Sequence, residues 1–238
     1  MRTLRLRRFL ALLVWWPAIA YAAEPVAMLL EARAARSAKE VTRAVELGTA
    51  LIALQPASGD AYLERAFTYL YSGVPEHRAL SAADFKKAVE VDPLNVRAIL
   101  YRGDLAYRLI EKNYAACEAD YSTVIRLDPE FAHYRAYTAE LYLYMKNPAR
   151  VVAEAALGLA VEPAAPIHRI NLAHGLAFSG NLEAAKKLYA AVAKVEIGHG
   201  RTGAAFALGD FATFAKHDIT YPQIAELTPF LEALRDAP

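Results

Sequence analysis

The stretch Val96–Phe131 reads VRAILYRGDLAYRLIEKNYAACEADYSTVIRLDPEF; it follows Asp92-Pro93 and carries Asp128-Pro129 near its end. In its first half Ile99, Gly103 and Ala106 fall at i, i+4 and i+7, one face of an α-helix. In its second half Tyr114, Cys117, Tyr121 and Val124 follow one another at steps of 3, 4 and 3, again one face. The pattern predicts two antiparallel helices joined by a turn. Gly103 and Cys117 are small, so the two backbones can approach closely. Pro129 stops the second helix, because proline has no N–H to donate and clashes with the preceding turn.

The unit recurs. The small residue of the first helix recurs as Ala32, Ala66, Gly103, Ala139 and Ala173, at steps of 34, 37, 36 and 34. The short residue of the second helix recurs as Ala44, Ser81, Cys117, Val151 and Ala185, at steps of 37, 36, 34 and 34. The helix-ending slot holds Pro56, Pro93, Pro129, Pro163 and then Ile197, with the same steps. Three independent slots in one register indicate an internal repeat. The extra residues of the second and third units are placed between the helices, near Gly73-Val74-Pro75 and near Ile110–Asn113, where insertions cost little. Beyond the repeats, Gly198, Gly200 and Gly203 suggest a loop. Ala204–Lys216, with Phe206, Phe211 and Phe214, is read as a helix. Pro222 suits a first helical position, and Gln223–Arg235 is a last helix that Pro229 kinks or splits.

The chain has 238 residues, 56% of them hydrophobic, enough for a sizeable core. Its first residues are set apart. Arg2, Arg5, Arg7 and Arg8 form a basic region, Phe9–Ala20 is apolar, and Ala20-Tyr21-Ala22 is a small-x-small cleavage site. We therefore expect residues 1–22 to be a signal peptide, cleaved after Ala22, and the mature chain to be periplasmic. The alternative is an uncleaved tether to the inner membrane, with Trp15 and Trp16 at the interface. Removal of that segment takes away four arginines and no acids, moving the formal charge from +1 to −3. A weakly acidic chain argues against a nucleic-acid partner. Cys117 is the single cysteine, so no intrachain disulfide can form.

The repeat resembles the tetratricopeptide-repeat family, over nearly all of Glu24–Ile197. The fifth unit carries the pattern in Asn171-Leu172-Ala173, Leu176, Gly180-Asn181-Leu182, Ala185, Tyr189 and Val192; the second and third carry Ala66 with Tyr69, Phe85 with Ala88, and Gly103 with Tyr121. The sequence departs from the family where no tryptophan opens a first helix; Met28, Tyr62, Ile99, Arg135 and Arg169 hold that slot. Gly48 and Ala155 replace the aromatic of the second helix. The resemblance implies an all-α fold: a right-handed α-solenoid of about five helix-turn-helix repeats over 23–197 (25–58, 59–95, 96–131, 132–165 and 166–199), with capping helices in 200–238.

In this family the first helices line a concave groove. Carried over slot by slot, one row of that groove is Arg33, Phe67, Asp104, Glu140 and His174. A second row is Ser37, Tyr71, Arg108, Tyr144 and Phe178, bordered by Tyr107. The resemblance thus implies a protein partner, held as an extended peptide or a helix against aromatic anchors. The competing reading makes some of these rings inter-repeat core. The family's lysine, arginine and asparagine clamp for a C-terminal carboxylate is missing, since its slots hold Leu29, Leu63, Leu100, Ala136 and Ile170.

Arg65 with Asp84, and Arg102 with Asp120, occupy equivalent slots and are read as structural ion pairs between packed helices. Cys117 is read as a small buried hydrophobe. His168 and His174 are six residues apart, on opposite sides of one helix. His199, between two glycines, is placed in a solvent loop. We find no metal-ligand spacing, phosphate loop or nucleophile elbow in the sequence, and the reading is of a non-enzyme that needs no cofactor. The expected function is an adaptor or scaffold of the bacterial cell envelope. The alternative is a glycan or peptidoglycan binder with Tyr71, Tyr107 and Tyr144 as stacking platforms. Two copies could pair through the Phe-rich tail.

Overall fold

An X-Pro bond pushes the residue before proline out of the helical region. The second helix of each of the first four repeats stops accordingly, at Leu54, Val91, Leu127 and Val161, two residues before Pro56, Pro93, Pro129 and Pro163. The residues between, Gln55, Asp92, Asp128 and Glu162, share one conformation, φ −122° to −141° and ψ 66° to 79°. Each still donates its N–H to the carbonyl four residues back, so the last turn is closed. In the fifth repeat Ile197 replaces the proline. There the chain enters a short antiparallel hairpin, β1 (Glu196–Gly198) with β2 (Arg201–Thr202), within what the glycines suggested was only a loop.

The computed structural model of the protein describes residues 24–130, 133–198 and 200–237. Residues 1–22, expected from the sequence to be a signal peptide, and His199 lie outside the described residues. The chain divides into two compact units, one ending at Lys112 and the other beginning at Asn113.

The first unit holds α1 (24–37), α2 (Val41–Leu54), α3 (Gly59–Leu70), α4 (His77–Val91) and α5 (Val96–Tyr101), which continues as a π-helix over Arg102–Glu111. Its core is made of the slots the repeat predicts. Ala32, Ala44, Ala66, Phe85, Ala88 and Ala106 are fully buried, and Leu51, Leu63 and Ile99 nearly so. Ser81 fills the short slot of α4 and is also fully buried; its hydroxyl donates to the Ala66 carbonyl at 2.9 Å. That bond satisfies a buried hydroxyl and ties the two small slots of one repeat together. Arg65 and Asp84 form the expected ion pair, with Nε to Oδ2 at 2.7 Å and Nη2 to Oδ1 at 2.9 Å. The third repeat corrects the placement of its extra residues. Its first helix takes them in, with six α-helical and ten π-helical residues against twelve in α3. A π-helix accommodates inserted residues by widening the turn.

The second unit holds α6 (Tyr114–Leu127), α7 (His133–Tyr144), α8 (Pro148–Val161), α9 (Pro166–Phe178), α10 (Leu182–Val192), the hairpin, α11 (Gly203–Lys216) and α12 (Ile224–Asp236). Cys117 is fully buried, as a small hydrophobe should be. Helix α12 runs through Pro229 without being split, and Pro222 sits in the turn before it rather than at its first residue. An ion pair that the sequence analysis missed, Arg135 with Glu154 at 2.8 Å, joins α7 to α8 as Arg65 and Asp84 join α3 to α4. Among the described residues no helix is long and apolar enough to cross a membrane.

The turn inside the repeat is also written at regular spacing. The first helix ends in a left-handed residue: Lys39 (φ +62°), Lys112 (+55°), Lys146 (+53°) or Gly180 (+93°). At Lys146 the N–H reaches Leu143 O (3.1 Å) and the next N–H, of Asn147, reaches Tyr142 O (2.9 Å). This Schellman closure uses up the end carbonyls. The following asparagine, Asn113, Asn147 or Asn181, then caps the second helix by accepting from the N–H three residues on. Glycine adopts φ > 0 without the Cβ strain that lysine carries. Lys146→Gly is therefore expected to raise stability, by about 0.5–1 kcal/mol in chemical denaturation.

His168 of α9 is fully buried, and neither ring nitrogen has a hydrogen-bond partner among the described residues. Its ring lies directly against Gly158 of α8, where it leaves no room for a Cβ. Burial pushes its pKa below the ordinary 6.5. Between the lowered value and 6.5 the unfolded chain binds more protons than the folded one, so stability rises with pH through that window. Its neutral form is favoured above 6.5, and stability falls as pH drops below that. Melting temperatures at pH 7.5 and 5.0 should show a loss on acidification that His168→Leu reduces.

Candidate partner-binding site

The first helices of the repeats present the residues singled out for a groove, and each unit treats its share differently. In the first unit the buried Glu64 carboxylate accepts from Arg33 Nε at 2.8 Å and from Arg36 Nη1, so both guanidiniums are held. Arg36 also lies over the Phe67 ring, 5.6 Å from its centroid. Phe67 is wedged edge-on against Phe85 (5.4 Å) and Tyr101 (4.9 Å). It is a packing residue with one face turned to Tyr71, whose parallel ring is 6.3 Å away. Tyr71 itself is 68% exposed. It borders a cavity of about 250 Å³ with Arg36, Lys39, Val41, Thr68, Ser72 and Gly73. Asp104 and Arg108 pair with each other at 2.6 Å, both largely buried. Tyr107 is flanked by the cations of Lys86 (5.4 Å) and Arg102 (5.5 Å).

In the second unit the same slots are mostly covered. Tyr144 and Phe178 are buried, and His174 is fully so. Phe178 stacks on Tyr221 with centroids 3.8 Å apart and planes 5° from parallel. The Tyr221 hydroxyl donates to Leu143 O at 2.7 Å. Burial pushes the Tyr221 pKa up to about 12, so it stays a donor. Tyr144 meets Phe214 edge-on (6.0 Å) and His217 (5.6 Å). The open strip expected at Tyr144, His174 and Phe178 is therefore filled, by α11 and the segment that follows it. The tail was read as an end cap; it also lies across this face, because Phe211, Phe214, Ile219 and Tyr221 find their apolar partners there. A buried Tyr144 cannot serve as a platform for sugars.

His174 carries the polar link in this packing. Its Nδ1 meets the Tyr189 hydroxyl, and its Nε2 lies 3.1 Å from Asp210 Oδ2. Burial holds the Tyr189 pKa well above the ordinary value. The hydroxyl therefore keeps its proton, and Nε2–H donates to the carboxylate, which can only accept. This link aims Asp210 of α11 beside α9.

Asp210 and Glu140 line an open cavity of about 550 Å³ in the second unit. Its walls are α7 (His133, Ala136, Tyr137, Glu140), the turn after α8 and the start of α9 (Glu162, Ala165, Pro166 and Ile167, with Asn171), and the hairpin and α11 (Ile197, Arg201, Phe206, Asp210). Of the eleven sequence-derived groove residues, only Glu140 lines it. Tyr137, Asn171, Glu162 and Asp210 escaped the slot argument. Tyr137 lies three residues before Glu140, at helical spacing, and was visible in principle; Asp210 became relevant only once α11 had folded back. Among the described residues no serine, cysteine, threonine or lysine lines the cavity, so these walls offer no activated nucleophile of those types.

The contrast between the units is measurable. Phe178→Ala empties a stacked, buried site and should cost about 3–5 kcal/mol of stability. Tyr71→Ala, at an exposed position, should change stability by about 0.5 kcal/mol or less. Denaturant titration of both variants separates a core ring from a surface ring.

No family model matches the sequence. The human protein SGT1 homolog is 31% identical over 105 residues, which are 44% of this chain and 26% of that protein. The chain thus spans about a quarter of the length of this curated relative. Among solved structures, Pseudomonas aeruginosa PilF superposes with a TM-score of 0.64 at 17% identity, covering 88% of this chain and 94% of that one. A thermophilic TPR protein of Thermus thermophilus gives 0.55 at 25% identity, over 64% of this chain and 81% of that one. YrrB, described as a TPR protein with an unusual peptide-binding site, gives 0.53 at 16% identity, over 68% and 81%. The small-residue slots, the proline stops and these superpositions agree: the chain is built of tetratricopeptide repeats.

Proposed function

We propose that this chain is a non-catalytic adaptor of the bacterial cell envelope that holds a segment of a partner protein in the cavity of its second unit. The observation that carries the reading is that cavity. It is formed by the first helices of the fourth and fifth repeats and by α11, and its volume of about 550 Å³ is of the size that takes a few side chains of an extended segment. Its walls mix aromatic rings with carboxylates and one buried amide, the composition of a recognition surface rather than of a reaction centre. YrrB, with a related fold, has a peptide-binding site. The envelope location rests on the basic region, apolar run and Ala20-Tyr21-Ala22 of the first residues.

The test is site-specific photo-crosslinking in a Gram-negative host. A photoreactive residue at Tyr137 or Ile167, on the cavity wall, should capture a protein partner. The same residue at Leu157, exposed on α8, should not. Adducts of equal yield from Leu157, or none from the cavity wall, would rule the site out. Fractionation of the same cells should recover the chain in the periplasm without residues 1–22, or at the inner membrane if they are kept; recovery from the cytosol alone would reject the location.

A further inference from the structure

We propose that His168 is an acid-sensitive latch on the cavity wall: when its ring takes a proton it leaves the α8–α9 crossing, the first turn of α9 loosens, and the cavity gives up what it holds. The latch stands on the packing of α8 and α9. The release rests on the reading of the cavity as a partner site.

His168 is fully buried, and both ring nitrogens lack a hydrogen-bond partner among the described residues. The ring lies directly on Gly158 of α8, in the space where a Cβ would stand. A neutral imidazole bears this place at the cost of hydrogen bonds left unmade. An imidazolium would bring a charge and two N–H donors into it with nothing there to accept them, which costs far more.

The ring is tied to the cavity through the chain. Ala165, Pro166 and Ile167, immediately before His168, line the cavity, as do Asn171 after it and Glu162 in the turn after α8. Helices α6, α8 and α10 each begin on an asparagine whose side chain caps them, whereas Ala165 gives α9 no side-chain cap. The first turn of α9 is therefore held by packing, and the seat of His168 on Gly158 bears directly on where these cavity residues stand.

Two ionisable groups act on the ring. Burial opposes its protonation most; Glu162, exposed in the turn after α8, favours it, and His133 at the start of α7 opposes it. Of the other charges on the elements around α9, Glu154 of α8 pairs with Arg135 of α7 at 2.8 Å, Asp210 of α11 is bonded to His174, and Lys186 of α10 pairs with Glu226 at 2.6 Å. A protonated ring thus has Glu162 to move toward, and reaching it means leaving Gly158. One proton gained on opening, at an ordinary pKa in the open form and a lower one in the closed form, favours opening by up to about thirtyfold between pH 7.5 and 5.0.

The test is hydrogen exchange of the purified chain at pH 7.5 and 5.0, read by mass spectrometry and corrected for the intrinsic pH dependence of amide exchange. Amides of residues 158–171 should exchange about fivefold or more faster at pH 5.0, while those of residues 61–70 in α3 change by about twofold or less. His168→Leu should abolish the difference. His168→Phe, which keeps a ring on Gly158 but takes no proton, carries the same test if leucine packs badly. An acid response that survives in both variants, one spread equally over α3, or none in the wild-type chain would overturn the latch. The release is read by photo-crosslinking from Tyr137 in permeabilised cells. Adduct yield should fall about fivefold or more from pH 7.5 to 5.0 in the wild-type background and stay constant in His168→Leu. Equal wild-type yields at both pH values would overturn the release and leave the partner site standing. No adduct at either pH would overturn the partner site, and the exchange result then decides the latch alone.

Discussion

Two helices of a repeat can share one apolar interior only if their backbones come close, and closeness is set by what stands at the crossing. Here the crossing slots hold Ala32 with Ala44, Ala66 with Ser81, and Ala173 with Ala185, all fully buried. A larger side chain would hold the helices apart and break the contact that the neighbouring repeat needs. The buried Ser81 hydroxyl makes the point, because it reaches the Ala66 carbonyl across the crossing at 2.9 Å. Everything else follows from that spacing. The turn must reverse the chain within a few residues, which forces a left-handed residue and an asparagine cap. The proline must then stop the second helix at a constant distance, so that the next first helix starts in register.

The second unit shows how one exposed face becomes two things. The first helices of the fourth and fifth repeats carry Tyr144, His174 and Phe178 on one part of their face and His133, Tyr137, Glu140 and Asn171 on another. Helix α11 and Tyr221 cover the first set, whose rings bury apolar area against Phe211 and Phe214. They do not cover the second, and the remaining space is the cavity. The boundary between the two is marked by the Tyr189–His174–Asp210 chain, with Tyr189 and His174 in the core and Asp210 at the cavity wall. The polar link is buried on one side and lies at the lining of the cavity on the other. That is how a core contact can set the position of a surface charge.

Much of the fold was legible because repetition supplies its own controls. The slots of Ala66, Ser81 and Pro93 predict one another, and the Arg65–Asp84 pair follows from the same register. The Arg135–Glu154 pair uses the same geometry but was missed, since a glutamate stands where an aspartate was sought. The π-helix of Arg102–Glu111 was invisible, because an inserted residue leaves the same trace in sequence whether a loop or a helix takes it in. The site was less legible for a different reason. A slot argument knows only the repeats, and it placed Tyr144 and Phe178 in the open because nothing local says otherwise. Their burial depends on Phe214 and Tyr221, which lie outside the repeat register and find that face only through tertiary packing.

The charge of the chain bears on why the cavity would be kept polar at all. An apolar pocket of this volume beside α11 would extend the neighbouring core and could be closed by a small shift of that helix. Carboxylates resist such closure, since closing the space would cost hydration of their oxygens. Glu140, Glu162 and Asp210 therefore hold the space open as much as they advertise it. The cost of that arrangement is repulsion between like charges, which is lowest when they are spread around the walls, as here.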